Sequence, residues 1–150
     1  MKHLGTLAMV AALAMSGAAL AADAAGAVKA REATMKGMGK ALKAIAEELK
    51  APAPAAAVLK ANAQVMAANA RDVAAGFPKG TGAESGVKTH ALAAIWAKPA
   101  EFSKRADDLV KATGLLKAAA DAGNVDGVRA ALPQVGGACK ACHQDFKARD

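Results

Sequence analysis

The sequence predicts an all-α domain, an antiparallel up-down-up-down four-helix bundle. Apolar side chains recur at alternating three- and four-residue intervals in four separate stretches. No stretch shows the strict alternation of a half-buried strand. Two of the links between the periodic stretches are short, which makes consecutive helices antiparallel neighbours. The 150 residues suit one domain, and no internal repeat is visible.

The first residues are set apart from that domain. Lys2 and His3 give a positive start, and Leu4 to Leu20 is an apolar run of Ala, Leu, Met and Val. Ala19-Leu20-Ala21 has the small-x-small pattern of a cleavage site. Residues 1–21 are therefore expected to be a signal peptide, cut after Ala21, with Ala22 as the close alternative, and residues 22–150 to be the mature domain. The run is too short for a membrane span, and no stop-transfer flank follows. The mature protein is expected in the periplasm, without a membrane span.

The first helix is expected from about Ala24 to Lys50, ending before Pro52 and Pro54. Its stripe is Val28, Met35, Met38, Leu42, Ile45 and Leu49, interrupted by the charged Arg31. The second is expected from about Ala53 to Ala75, with Val58, Val65, Met66 and Val73 facing in and Gly76-Phe77-Pro78 ending it. From Phe77 to His90 the glycines at 80, 82 and 86 predict a loop. A short helical turn carries Leu92, Ile95 and Trp96. Pro99 suits the first turn of the third helix, which presents Phe102, Ala106, Leu109, Val110, Thr113 and Leu116. Gly123 stops it and Asn124 caps the fourth, whose stripe is Val125, Val128, Leu132, Val135, Cys139, Cys142 and Phe146.

Alanine dominates the composition, while Tyr is absent and there are only three Phe and one Trp. Alanine favours helix but fills little space. Interiors are close-packed, so a bundle built this way calls for a large apolar body in its core. The formal net charge is +7, and losing Lys2 with the leader lowers it by one. The basic residues are scattered and no nucleic-acid motif accompanies them, which argues against nucleic acid. The positive surface instead suits an acidic redox partner.

Cys139-Lys140-Ala141-Cys142-His143 carries the chemistry. Residues three apart share a helix face, so two thiols can add to the two vinyl groups of one haem. His143 follows directly, and its neutral imidazole is an iron ligand on the same side. The expected cofactor is haem c, one per chain, covalently attached through Cys139 and Cys142, with His143 as the proximal ligand. A disulfide competes, but thiols three apart inside a regular helix are poorly placed for one. A haem-free thiol redox protein competes too, but such a motif belongs at a helix start after a strand. Zinc would lack a fourth ligand, with His90 the only histidine outside the motif and the leader.

A four-helix bundle with C-x-x-C-H near its C-terminus resembles cytochrome c-prime and its relatives, the class II c-type cytochromes. The resemblance covers essentially the whole mature chain. It is carried also by Arg31-Glu32-Ala33-Thr34-Met35-Lys36, by the segment from Ala94 to Phe102, and by Val135 to Phe146. It implies that Met35 lies over the distal face of the haem. In the low-spin branch that residue is methionine and binds iron through sulfur, which suits electron transfer. In cytochrome c-prime proper the residue there is bulky and apolar, sometimes a non-ligating Met, and the five-coordinate iron takes nitric oxide or carbon monoxide. Met35 followed by Lys36 and Gly39 looks more like the low-spin branch, so Met35 is expected as the distal ligand.

Met38, one turn further along, is expected to touch the haem edge. Arg31 needs a partner on an apolar seam, and the resemblance puts an Arg near the propionates, so Arg31 is expected to pair with one. The alternative is a side chain bent out to solvent. Lys147, four after His143, matches a basic position beside the proximal imidazole or is an ordinary exposed lysine. Trp96 and Phe146 are expected to pack, His90 to sit on the loop surface, and Glu47, Glu48, Asp107 and Asp108 to lie on solvated helix faces. The leading expectation is a one-electron carrier, not an enzyme, with His143 and Met35 as axial ligands. The alternatives are a five-coordinate gas binder and a haem-free thiol protein. The family's habit of pairing through its first two helices makes a homodimer one expectation for the assembly.

Overall fold

The computed structural model describes residues 7–149. Five helices follow one another: α1 (Leu7–Glu48), α2 (Ala56–Asp72), the single turn α3 (Ala94–Ala97), α4 (Pro99–Asp121) and α5 (Val125–Phe146). The four long ones form the bundle. Short 3-10 turns at Ala74–Gly76 and Ala83–Ser85 punctuate the loop between α2 and α3.

Helix α1 starts earlier than the expected Ala24, because nothing in the Ala-rich stretch before it breaks a helix. The start of the expected signal peptide, Met1 to Thr6, lies outside the described residues. Among the described residues no helix is long and apolar enough to cross a membrane. At the other junctions the expected signals act. Pro99 occupies the first turn of α4. Gly123 adopts a left-handed φ of 66°, and the Asn124 side chain accepts from the Gly127 N–H at 2.9 Å to cap α5.

The buried stripe of α2 corrects the expectation. Val58 and Val65 are 38% and 43% exposed, while Leu59, Ala63, Met66, Ala67 and Ala70 are buried, followed by Val73 just beyond the helix. Met66 and Val73 face in as expected, and Val58 and Val65 do not. Alanines make the inner face because they let α2 approach its neighbours closely. Gly37 acts likewise on α1, where a Cβ would stand 3.0 Å from the Asn69 side-chain nitrogen. The other stripes fall as expected, with Ile45, Leu116, Val128 and Val135 among the fully buried side chains.

The packing runs from α1 to α2, from α2 to α4 and from α4 to α5. The fourth side of the ring is different. Among the described residues α1 and α5 barely touch. The loop from Phe77 to Leu92 spans that side. At its far end the Leu92 N–H donates to the Phe146 carbonyl at 3.0 Å and the Ala148 N–H donates to the His90 carbonyl at 2.8 Å, around an antiparallel bridge between Ala91 and Lys147.

Candidate haem site

Two cavities lie between α1 and α5. The first, of about 330 Å³, is lined by residues of α1, the loop, α3, α4 and α5, including Arg31, Phe77, Ile95 and Phe102. The second, of about 180 Å³, is lined by Met38, Leu42, Met66, Val73 and Leu109, among others. Met35, Cys142 and His143 line both, so the two voids meet between the α1 methionine and the α5 motif.

The sequence-predicted residues converge here. Cys139 and Cys142 are half-buried free thiols on the inward side of α5. Burial pushes both above the ordinary thiol range, Cys142 to about 11, with Cys139 adding to the effect and Arg105 opposing it. Burial, followed by the charge of Lys147, holds His143 below its ordinary value. That shift favours the neutral imidazole, the form that binds a metal. Lys147 lines the first cavity beside it. Met38 is 5% exposed and lines the second cavity.

Arg31 does not bend to solvent. It is 5% exposed and donates through Nη1 to the Thr81 hydroxyl at 2.9 Å, and through Nη2 to the Thr81 carbonyl at 2.8 Å and the Thr89 hydroxyl at 2.7 Å. Its guanidinium also stands 4.7 Å from the Phe77 ring centroid. Desolvation lowers its pKa, opposed by the carboxylates of Glu32 and Glu84.

Phe102 and Phe146 face in, as their stripes predicted, and Phe77 from the loop joins them. Phe77, Phe102 and Phe146, the chain's three phenylalanines, all line the first cavity. They stack edge to face, with centroids 5.0 Å apart for Phe77 and Phe102 and 5.2 Å for Phe102 and Phe146. For Phe77, the scarcity of aromatics in an alanine-rich chain was the available signal. Trp96 packs, as expected, and donates through Nε1 to the Phe77 and Pro78 carbonyls, each at 3.1 Å. His90 is exposed but also borders the cavity. Arg105 was not singled out, yet it borders the second cavity and pairs with Asp145 on α5.

A slot between two helices, with paired thiols and a neutral imidazole on one wall, a thioether opposite and aromatic sides, fits a haem. Comparison with known proteins agrees. The family model for cytochrome c' matches residues 26–147. The chain belongs to the cytochrome c' family. It is 40% identical over 68 residues to cytochrome c' of Rubrivivax gelatinosus, covering 45% of this chain and 53% of that protein. The chain thus spans about half the length of the curated relatives it matches. The crystal structure of cytochrome c' from Thermochromatium tepidum matches with a TM-score of 0.76 and 33% identity, covering 84% of this chain and 97% of that one. A nitric oxide complex of a variant of cytochrome c prime from Alcaligenes xylosoxidans matches with a TM-score of 0.73 and 33% identity, covering 82% and 94%. As a class II c-type cytochrome, the chain carries one covalently bound haem c.

Proposed function

We propose that this cytochrome is a periplasmic gas-binding protein. In this reading Cys139 and Cys142 hold the haem, His143 is the proximal iron ligand, and the sixth position takes nitric oxide or carbon monoxide beneath Met35. The haem supplies an iron centre that changes oxidation state and binds small molecules; the chain supplies its surroundings. The supporting observation is the apolar lining around Met35 on the side facing the motif. Met35, Met38, Leu42, Met66, Val73, Ala106 and Leu109 make it up, an almost wholly apolar setting that suits a neutral diatomic. The nitric oxide complex of the Alcaligenes xylosoxidans relative points the same way.

A second reading rests on Met35 itself. It borders both cavities together with His143, and a thioether is a competent iron ligand. Ligation by Met35 would make the protein an electron carrier, with the propionate partner of Arg31 and the haem-edge contact of Met38 as expected from the sequence. The thiol redox reading is disfavoured, because the chain belongs to a family that carries covalent haem and its two cysteines lie well inside α5, not at a helix start. An acidic redox partner suits the basic surface in either haem reading. The exposed Val58 and Val65, on α2, suit a homodimer.

The visible spectrum of the reduced protein, with and without carbon monoxide, tests the assignment. A high-spin spectrum that shifts with carbon monoxide supports gas binding. A low-spin spectrum indifferent to carbon monoxide, and converted to high spin by Met35→Ala, establishes the electron carrier instead. A colourless periplasmic protein of bare polypeptide mass defeats both.

A further inference from the structure

We propose that Arg31 is a positioning residue: by clamping Thr81 and Thr89 it holds the loop that walls the haem cavity, and so slows the approach of a small ligand to the iron. The reasoning starts from where the loop lies. Phe77, Thr89, His90 and Ala91 all line the first cavity, on the side of the bundle where α1 and α5 barely meet. The loop is rich in glycine, with Gly80 and Gly86 at positive φ, and between Pro78 and Leu92 its one large apolar side chain is Val87.

Its fastening to α5 is main-chain pairing at His90 and Leu92. Its fastening to α1 is Arg31. The three hydrogen bonds reach residues 50 and 58 positions away in sequence, and the guanidinium also covers the Phe77 ring. Charge-assisted bonds of this kind are stronger than neutral ones, and the fork geometry engages both threonines together. Thr81 is itself buried, at 5% exposure, and donates its hydroxyl proton to the Pro78 carbonyl at 2.8 Å. At Gly76 the chain passes so close to α1 that a Cβ would stand 3.2 Å from the Arg31 Cβ. The buried charge thus organises a polypeptide wall, whether or not it also meets a propionate.

The clamp's effect on ligand entry rests on the gas-binding reading, whereas its effect on the loop does not, and two measurements separate them. In the haem-loaded protein, Thr81→Val with Thr89→Val removes both hydroxyl acceptors and keeps the Arg31 charge. Amide exchange across residues 79–91 and the carbon monoxide association rate should each rise about tenfold, as when two bonds each worth a factor of a few are lost. Thr81→Ser with Thr89→Ser keeps the hydroxyls and should restore wild-type values in both. Thr89→Val alone serves if the double variant does not fold, with a smaller rise in both.

Unchanged exchange and association rates in a folded valine variant would overturn the clamp. So would an Arg31→Lys variant that shifts the reduction potential while the threonine variants change nothing, since Arg31 would then act through the haem alone. If the wild type proves indifferent to carbon monoxide, the gas-binding reading fails, and amide exchange alone decides the clamp: faster exchange upholds the loop-holding role, and unchanged exchange overturns it.

Discussion

Arg105 on α4 donates from Nε and Nη2 to one carboxylate oxygen of Asp145, at 3.3 and 3.0 Å. The pair ties α4 to the turn of α5 that carries His143. Both side chains are substantially exposed, so the bond is expected to orient that turn more than to stabilise it. A double-mutant cycle with Arg105→Ala and Asp145→Ala should give a coupling below about 1 kcal/mol, shrinking as salt is added. Chemical denaturation of the four proteins measures it.

Covalent attachment should divide between the two thiols. Cys139→Ala or Cys142→Ala should each leave one thioether, and the double variant none. Haem-linked mass after denaturation reads this directly. Full covalent retention in the double variant would contradict the assignment.

Two adjacent leucines on α4 should behave very differently. Leu116 is fully buried, and Leu116→Ala should cost about 2–5 kcal/mol through lost burial and a residual cavity. Leu115 is 57% exposed, and Leu115→Ala should change stability by no more than about 0.5 kcal/mol. Thermal unfolding of the two variants gives the comparison.

Acid should weaken the bundle through three surface carboxylates. Hydrogen bonds from Lys50, Lys104 and Lys117 hold Glu47, Asp108 and Asp121 below their ordinary values. A carboxyl with a depressed folded pKa contributes its stability above the unfolded value and loses it as pH falls through the folded one. The melting temperature should therefore fall between about pH 5 and pH 2, the range bracketing ordinary carboxyl titration. Asp121 also reaches Lys60 on α2 at 3.7 Å. Asp121→Asn should flatten the acid limb of the melting curve and leave its slope near neutral pH unchanged.

The junction between α4 and α5 gives a further check. Gly123→Ala forces a side chain into a left-handed φ of 66° and should cost about 1 kcal/mol. Asn124→Ala removes the cap on the Gly127 N–H and should cost about 0.5–2 kcal/mol. Equilibrium unfolding in urea resolves both.

Much of this arrangement was legible in the residues. Pro99, Gly123 and Asn124 marked their helix ends because local backbone chemistry decides such ends. The cysteine motif and Met35 were readable because their periodicity puts them on inward faces. The inner face of α2 was not, since alanine carries almost no hydropathy signal and the rule favoured Val58 and Val65 over Ala63 and Ala70. The partners of Arg31 were also hidden. Its burial on an apolar seam demanded an acceptor, but Thr81 and Thr89 lie in a glycine-rich loop whose path no periodicity fixes. Phe102 and Phe146 were legible on their stripes, whereas the place of Phe77 against Phe102 was hidden for the same reason, since Phe77 opens that loop.

The scarcity of contact between α1 and α5 also bears on how the chain folds. Each remaining side of the ring joins helices that are close in sequence or separated by one loop. Pairing the first helix with the last would close the longest loop of all, the contact whose entropy is hardest to recover. Leaving those two helices largely apart keeps the polypeptide's own search local and fast.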